Sequence, residues 1–158
     1  RGAEERRIVK FSEIERQAWE QLKPYLDTCL LPVTGLNGAE EPWEATRKLE
    51  SLQRALDGLE KPYRGRVVTY PAAHYIANGD GQKAALGEIC RRLKQAGFRY
   101  VVIVSVCREL EGSGIEGADA VAVMDPEATP DACKDFHRTL SRRIEALWRE
   151  GAQTADGN

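Results

Sequence analysis

The segment from Ala96 to Glu109, AGFRYVVIVSVCRE, constrains the fold more than any other part of this sequence. Gly97 ends the helical pattern, and a nearly continuous apolar run from Tyr100 to Val106 follows, which only Ser105 interrupts. Such a run indicates a strand that is buried on both faces, as in a parallel sheet covered by helices. The polar residues after the run then lie at the carboxyl end of the strand, where open α/β sheets bind ligands. The segment therefore predicts both a fold class and the place of a site.

Strand and helix patterns alternate along the rest of the chain. Three further apolar runs predict strands at Thr28–Val33, Val67–Tyr70 and Ala118–Met124. Apolar residues at helical spacing predict helices over 12–24, 42–59 and 80–97, with Asp80 as an N-cap, and a last helix from Thr129 onward. Because proline cannot donate to a ladder, Pro32 predicts an edge position or a bulge for the first strand.

These patterns predict one α/β domain. Helical connections of this length favour parallel strands with helices on both faces, so we predict a single three-layer α/β/α domain with a mainly parallel sheet. We place it at residues 10–149, after a charged extension at 1–9 and before a flexible polar tail at 150–158. A chain of 158 residues is long enough for one such core and too short for two ordinary ones.

Composition and charge exclude several classes of protein. The formal net charge is −2 with 30% charged residues, so no basic excess indicates nucleic-acid binding. The longest nearly continuous apolar run, Tyr100–Cys107, is far shorter than the roughly 20 residues of a membrane helix. The charged opening, Arg1–Arg7, lacks a secretory pattern, and the four cysteines form no CxxC pair and fall in predicted helices or strands. We therefore expect a cytoplasmic protein with reduced cysteines and no membrane insertion.

A group of polar side chains follows the predicted strands at their carboxyl ends. The ligand-binding candidates are Thr34, His74, Tyr75, Ser105, Cys107, Arg108 and Asp125. They combine hydrogen-bond donors, one cation and one carboxylate, which is enough to orient a small anion or a peptide. Cys107 and His74 are also a candidate catalytic pair, because a histidine can activate a thiolate if their strands are neighbours. The alternative is that Cys107 is a small buried hydrophobe and His74 a solvated loop residue.

Other motifs have structural explanations. Gly112–Gly117 spells GxGxxG, but Arg108–Glu111 separate it from the preceding strand and another strand follows, so we predict a flexible connection or a lid rather than a dinucleotide site. Two histidines without metal-ligand spacing lead us to expect no metal and no cofactor. Arginine clusters over 91–94 and 138–149 are typical of ion-paired, solvated faces. Trp43 and Trp148 either cover the core or anchor a partner.

Three runs carry a resemblance to a known family: YLDTCLLPVTG, RGRVVTYPAAHYIANG and GFRYVVIVSV. From about Lys10 to Trp148 the chain resembles the uncharacterised YpiF-like family of small proteins from endospore-forming bacteria. That family has no established activity, so the resemblance implies a bacterial cytoplasmic setting and no particular chemistry.

The order of the same motifs is similar to that of creatininase-type amidohydrolases, which hold two metal ions at the strand tips with Glu, His and Asp ligands. The resemblance implies a creatininase-like topology. Here the first tip, Thr34–Gly38, has neither Glu nor His, and the second, Ser105–Glu109, lacks the histidine and the glycine pair of those enzymes. The resemblance therefore implies a relative without the metal site, in which metal-dependent hydrolysis is absent.

Taken together, the residues and the resemblance predict a non-catalytic protein that binds a small ligand or a protein partner at the carboxyl ends of its strands. A homo-oligomer is the other assembly that we expect. The alternative is a metal-independent hydrolase or transferase that uses Cys107 with His74.

Overall fold

A computed structural model of the chain describes residues 15–60, 62–63, 65–76 and 79–156. Its helices are α1 (Arg16–Leu22), α2 (Pro42–Glu60), α3 (Asp80–Ala96) and α4 (Pro130–Asp156). Its strands are β1 (Thr28–Val33), β2 (Val67–Thr69), β3 (Tyr100–Ser105) and β4 (Ala120–Val123), with one 3₁₀ turn at Arg108–Leu110. The predicted extension at 1–9 and the predicted start of the first helix lie outside the described residues. The alternation of strands and helices is confirmed.

The four strands form one parallel sheet in the order β2-β1-β3-β4. Apolar side chains of α2 and α4 cover one face of the sheet. The other face is covered by α1, α3 and the connection between β3 and β4. Every residue of β1 and of β3 is buried, which explains why their sequences are almost wholly apolar. The structure thus has the three-layer α/β architecture that the sequence predicts.

Helix boundaries follow local capping chemistry. Thr129 Oγ1 accepts the Ala132 N–H at 3.2 Å, so the predicted start of α4 is confirmed. Gly97 ends α3 with φ +128, a conformation that favours glycine. The prediction of Asp80 as an N-cap is wrong, because Gly79 occupies that position. Asp80 is the first helical residue, where its carboxylate lies at the positive end of the helix dipole.

β1 lies inside the sheet, so the edge position predicted from Pro32 is wrong. Proline is tolerated because the N–H that it lacks would face β2, which has already ended. Beyond β2 the Tyr70 N–H donates to Leu30 O, and the Ala73 N–H donates to Pro32 O. Three residues of the segment after β2 therefore span two residues of β1. The pairing register between them shifts by one residue before Val33. The extra residue lies in the segment facing Pro32, so the bulge belongs to that segment and not to β1, for which the sequence predicts it.

Two predicted boundaries differ from those in the structure. β3 ends at Ser105, so Cys107 lies after the strand and not within it. α4 continues to Asp156 and includes most of the segment predicted as a flexible tail. The tail packs on the domain because Gly151 lies against the Tyr100 hydroxyl, so closely that a Cβ on Gly151 would be 1.8 Å from it.

Candidate functional site

The strand order places a topological switch point at the carboxyl edge of the sheet, between β1 and β3. The chain leaves β1 towards β2 on one side and leaves β3 towards β4 on the other, and ligands bind at such a switch point in open α/β sheets. Gly35 follows β1 with φ +78, and Cys107 follows β3. A Cβ on Gly35 would lie 3.0 Å from Cys107 Cβ and 3.2 Å from its Sγ. Cys107 therefore packs directly against Gly35 at the switch point, and both this contact and the positive φ favour glycine there.

The bulge after β2 brings His74 to the end of β1. With the register of β2 unchanged, Ala73 would lie beside Thr34, and the extra residue places His74 there instead. Thr34 Oγ1 lies 2.9 Å from His74 Nδ1 and 3.3 Å from Ala73 O, and it accepts the Leu36 N–H at 3.3 Å. Thr34 is buried and His74 is exposed, so a hydroxyl beneath the surface anchors an imidazole at the surface.

Ser105 holds the end of β3 against β1. Its hydroxyl donates to Val33 O at 2.7 Å and accepts the Cys107 N–H at 3.0 Å. Ser105 is fully buried, and these two bonds use its donor and one acceptor position. It therefore positions Cys107 and does not face a ligand directly.

Tyr75 and an ion pair provide the exposed part of the edge. Arg108 Nη2 lies 3.3 Å from Asp125 Oδ1, with 70% and 57% of the two side chains exposed. The Glu127 N–H also donates to Asp125, and this bond, together with Arg108, holds the pKa of the Asp125 carboxyl below its usual range. Tyr75 is largely exposed and adopts φ +57, an uncommon conformation for a residue with a side chain.

The predicted site residues thus form two groups. Thr34, His74, Ser105 and Cys107 meet around the end of β1 with Tyr75 alongside, whereas Arg108 and Asp125 pair with each other after β3 and β4. The strands before His74 and Cys107 are not neighbours, since β1 separates them. The two side chains nevertheless flank consecutive residues of the turn after β1, because His74 contacts Thr34 and Cys107 contacts Gly35.

Sequence reasoning missed a charged anchor in the loop that follows Gly35. The Glu40 carboxylate accepts the N–H groups of Asn37 and Gly38 at 3.1 and 3.0 Å and pairs with Lys48 at 3.0 Å. Lys48, helped by these N–H groups, lowers the pKa of Glu40 to about 2. The signal in the sequence is an Asn-Gly turn closely followed by an acid. The anchor fixes the loop that follows β1 at the switch point.

The GxGxxG segment has a packing role. Gly112 and Gly117 have φ +72 and +91, conformations that glycine adopts readily in turns. A Cβ on Gly117 would lie 3.2 Å from Cys90 Cβ, so the glycine allows the connection to approach α3 closely. The segment leads into β4 and not into a helix, as predicted, and the geometry of a dinucleotide fingerprint is absent there.

The charged and aromatic features mostly serve the fold. Arg91 and Arg92 pair with Glu88 on the surface of α3, in agreement with the predicted ion-paired face. Trp148 is a core-covering residue: its Nε1 donates to Thr28 Oγ1 at 2.8 Å, and the Arg66 guanidinium lies 3.9 Å from its ring centre. Trp43, in contrast, is 57% exposed.

The four cysteines are free thiols, of which Cys29, Cys90 and Cys133 are buried and Cys107 is partly exposed. Burial raises the pKa of the Cys29 thiol and raises that of Cys90 to about 11. In the part of the chain that the structure describes, no group of three or more His, Cys, Asp or Glu side chains could hold a metal ion. Within the same ranges, no helix has the length and apolar character needed to cross a bilayer.

Residues 17–118 match a family described as a protein of unknown function, DUF2487. The matched region contains β1, β2 and β3 and all the predicted site residues except Asp125, which lies beyond it. No curated protein and no solved structure matches the chain.

Proposed function

We propose that this chain, which belongs to the DUF2487 family of proteins of unknown function, is a non-catalytic binding domain for a small anion at the carboxyl edge of its sheet. The observation that carries the proposal is the 2.9 Å contact between Thr34 Oγ1 and His74 Nδ1. When the hydroxyl donates to Nδ1, the neutral ring carries its proton on Nε2, which then offers a donor at the surface. The hydroxyl also lies 3.3 Å from Ala73 O, but that carbonyl already accepts the Thr34 N–H, so we assign the hydroxyl proton to the shorter contact with Nδ1. The ring then offers an Nε2 donor to an anion.

We further propose that Arg108 supplies the charge for the same ligand, because it directly follows Cys107, which lies against Gly35 beside Thr34. Its guanidinium presents a fork of donors that matches a carboxylate or a phosphate. Its partner Asp125 is itself more than half exposed, and such surface pairs contribute about 0–1 kcal/mol. An incoming anion therefore displaces Asp125 at little cost.

The setting of the protein and the origin of its scaffold are also proposed from the sequence resemblances. We place the domain in a bacterial, cytoplasmic setting, as a relative of the creatininase-type scaffold that has lost its metal ligands. The order of the strand motifs suggests this relationship, and the absence of histidines from Thr34–Gly38 and Ser105–Glu109 supports the loss of the metal ligands. Elemental analysis of the purified protein tests it: stoichiometric zinc or manganese would show that a metal site is retained.

The test of anion binding is an NMR titration of the ¹⁵N-labelled protein with inorganic phosphate at constant ionic strength. We expect saturable shifts of the Gly35 and Tyr75 amides. Arg108→Gln should weaken binding about tenfold, the loss expected for one charge-assisted contact. Arg142→Gln, an exposed arginine on α4, is the matched control and should bind like the wild type. Shifts that do not saturate, or equal losses in both variants, would refute the proposal.

The placement of Cys107 and His74 on the two sides of the Thr34–Gly35 turn favours a second candidate, a thiol-dependent hydrolase or transferase. Iodoacetamide labelling at pH 7 distinguishes the two, because the other cysteines are buried. Rapid labelling that disappears in Cys107→Ser would support the enzyme. A folded protein that stays unlabelled would exclude it.

A further inference from the structure

β4 is an edge strand whose outer backbone groups lack a partner strand among the described residues. It pairs with β3 alone, and the Met124 N–H continues this ladder by donating to Ser105 O. Because successive residues of a strand direct their backbone groups to opposite sides, Val121 and Val123 direct theirs away from β3. Arg143 Nη1 donates to Val121 O at 3.2 Å. An exposed side chain therefore takes the place that the N–H of a neighbouring strand would occupy.

A groove of about 420 Å³ runs along this edge, with residues 121–123 of β4 as its floor. One wall is formed by α4, which contributes two apolar residues, Phe136 and Leu140, and two polar ones, Thr139 and Arg143. The other wall is the small and polar segment 111–113 of the connection after β3. The two walls therefore differ in chemistry across the width of a single strand.

We infer that this groove docks an extended segment of a partner protein, which adds a fifth strand to the sheet beside β4. Donors and acceptors along the floor repeat every two residues, roughly 6.6 Å, a spacing that only an extended backbone matches. Alternate side chains of the segment then contact the α4 wall, which includes Phe136 and Leu140, and the small polar wall. In doubly wound sheets of order 2-1-3-4-5 a fifth strand lies at this position, beside β4.

A second copy of the chain fits this edge less well than a single segment. Two β4 strands that pair antiparallel about a two-fold axis keep the same sheet faces together, so each wall meets its own copy. Each wall carries a charge, Arg143 on α4 and Glu111 on the connection after β3, so walls of like charge face each other. Like charges in such positions are destabilising, whereas a lone strand brings no walls of its own.

The experiment begins with a phage library of random twelve-residue peptides selected on the immobilised protein, and the best binder is synthesised. NMR hydrogen exchange then compares the free protein with the complex. We expect the Val121 and Val123 amides to exchange at least about tenfold more slowly in the complex. The Ala122 amide, which faces β3, should already exchange slowly without peptide. Unchanged exchange at Val121 and Val123 would overturn the inference.

Variants test the same edge independently. Val121→Pro removes an N–H that faces away from β3, so it breaks no hydrogen bond between β3 and β4. Thr139→Trp fills the groove with a large side chain from α4. Both should bind the peptide at least about tenfold more weakly while circular dichroism shows a folded chain. The control Thr154→Trp lies about 22 Å further along the same helix and should bind normally. Full affinity in Thr139→Trp, or a concentration-dependent dimer that this substitution disrupts, would contradict docking of a separate segment.

Discussion

Thr34→Val removes the hydroxyl at the centre of the proposed site while keeping the volume of the side chain. The hydroxyl is buried and accepts the N–H of Leu36, which is also buried, at 3.3 Å. Leaving that N–H without a partner costs about 1–3 kcal/mol, and the long distance favours the lower part of this range. The His74 ring is exposed and can bond to water, so its lost contact adds little. We therefore expect a loss of about 1–2 kcal/mol, or roughly 2–8 °C in melting temperature.

Urea unfolding of matched variants measures this loss. Thr46→Val is the control, because the Thr46 hydroxyl donates to Pro42 O at 3.0 Å in an exposed helix turn, and its loss should cost at most about 0.5 kcal/mol. Thr34→Ser keeps the hydroxyl and should keep the NMR signals of the His74 ring, whereas Thr34→Val should shift them. The reasoning is refuted if Thr34→Val is as stable as Thr46→Val and leaves the His74 signals unchanged.

Two further substitutions test the packing and the loop anchor. Gly58→Ala should destabilise the protein by about 1–2 kcal/mol in urea unfolding, because the new Cβ would lie 2.3 Å from the His137 ring, while Gly114→Ala, with open space around it, should be neutral within about 0.5 kcal/mol. Glu40→Gln should lower the urea midpoint at pH 6, and its difference from the wild type should shrink between the unfolded-state pKa of about 4.3 and the folded-state pKa of about 2. Because folding lowers the pKa of Glu40, its ionised form stabilises the protein above the unfolded-state pKa. This stability is lost as the pH falls and the carboxylate paired with Lys48 becomes protonated. A stability difference between Glu40→Gln and the wild type that does not depend on pH would contradict the anchor.

The helices and strands could be predicted because burial and local capping determine which residue types stand in them. β1 and β3 are buried on both faces, so both read as apolar runs. Thr129 and Gly97 mark helix ends through local capping that needs no tertiary contact. Pro32 misled the prediction, because the neighbour that a backbone N–H faces depends on the register and not on the residue type.

The geometry of the site depends on features that the sequence does not specify. The contact between Thr34 and His74 requires a bulge of one residue, and the contact between Gly35 and Cys107 requires β1 and β3 to be neighbours. Both follow from pairing across the sheet, so a single sequence indicates which residues stand at strand tips but not which of them meet.

Asp125→Asn gives the most direct test of the proposed anion site. The substitution keeps an oxygen for the Glu127 N–H and removes the charge that pairs with Arg108. In the phosphate titration the account predicts binding about two- to fivefold tighter than that of the wild type, because the ligand no longer competes with a carboxylate. Unchanged or weaker binding would contradict the claim that Arg108 holds an anion at this edge of the sheet.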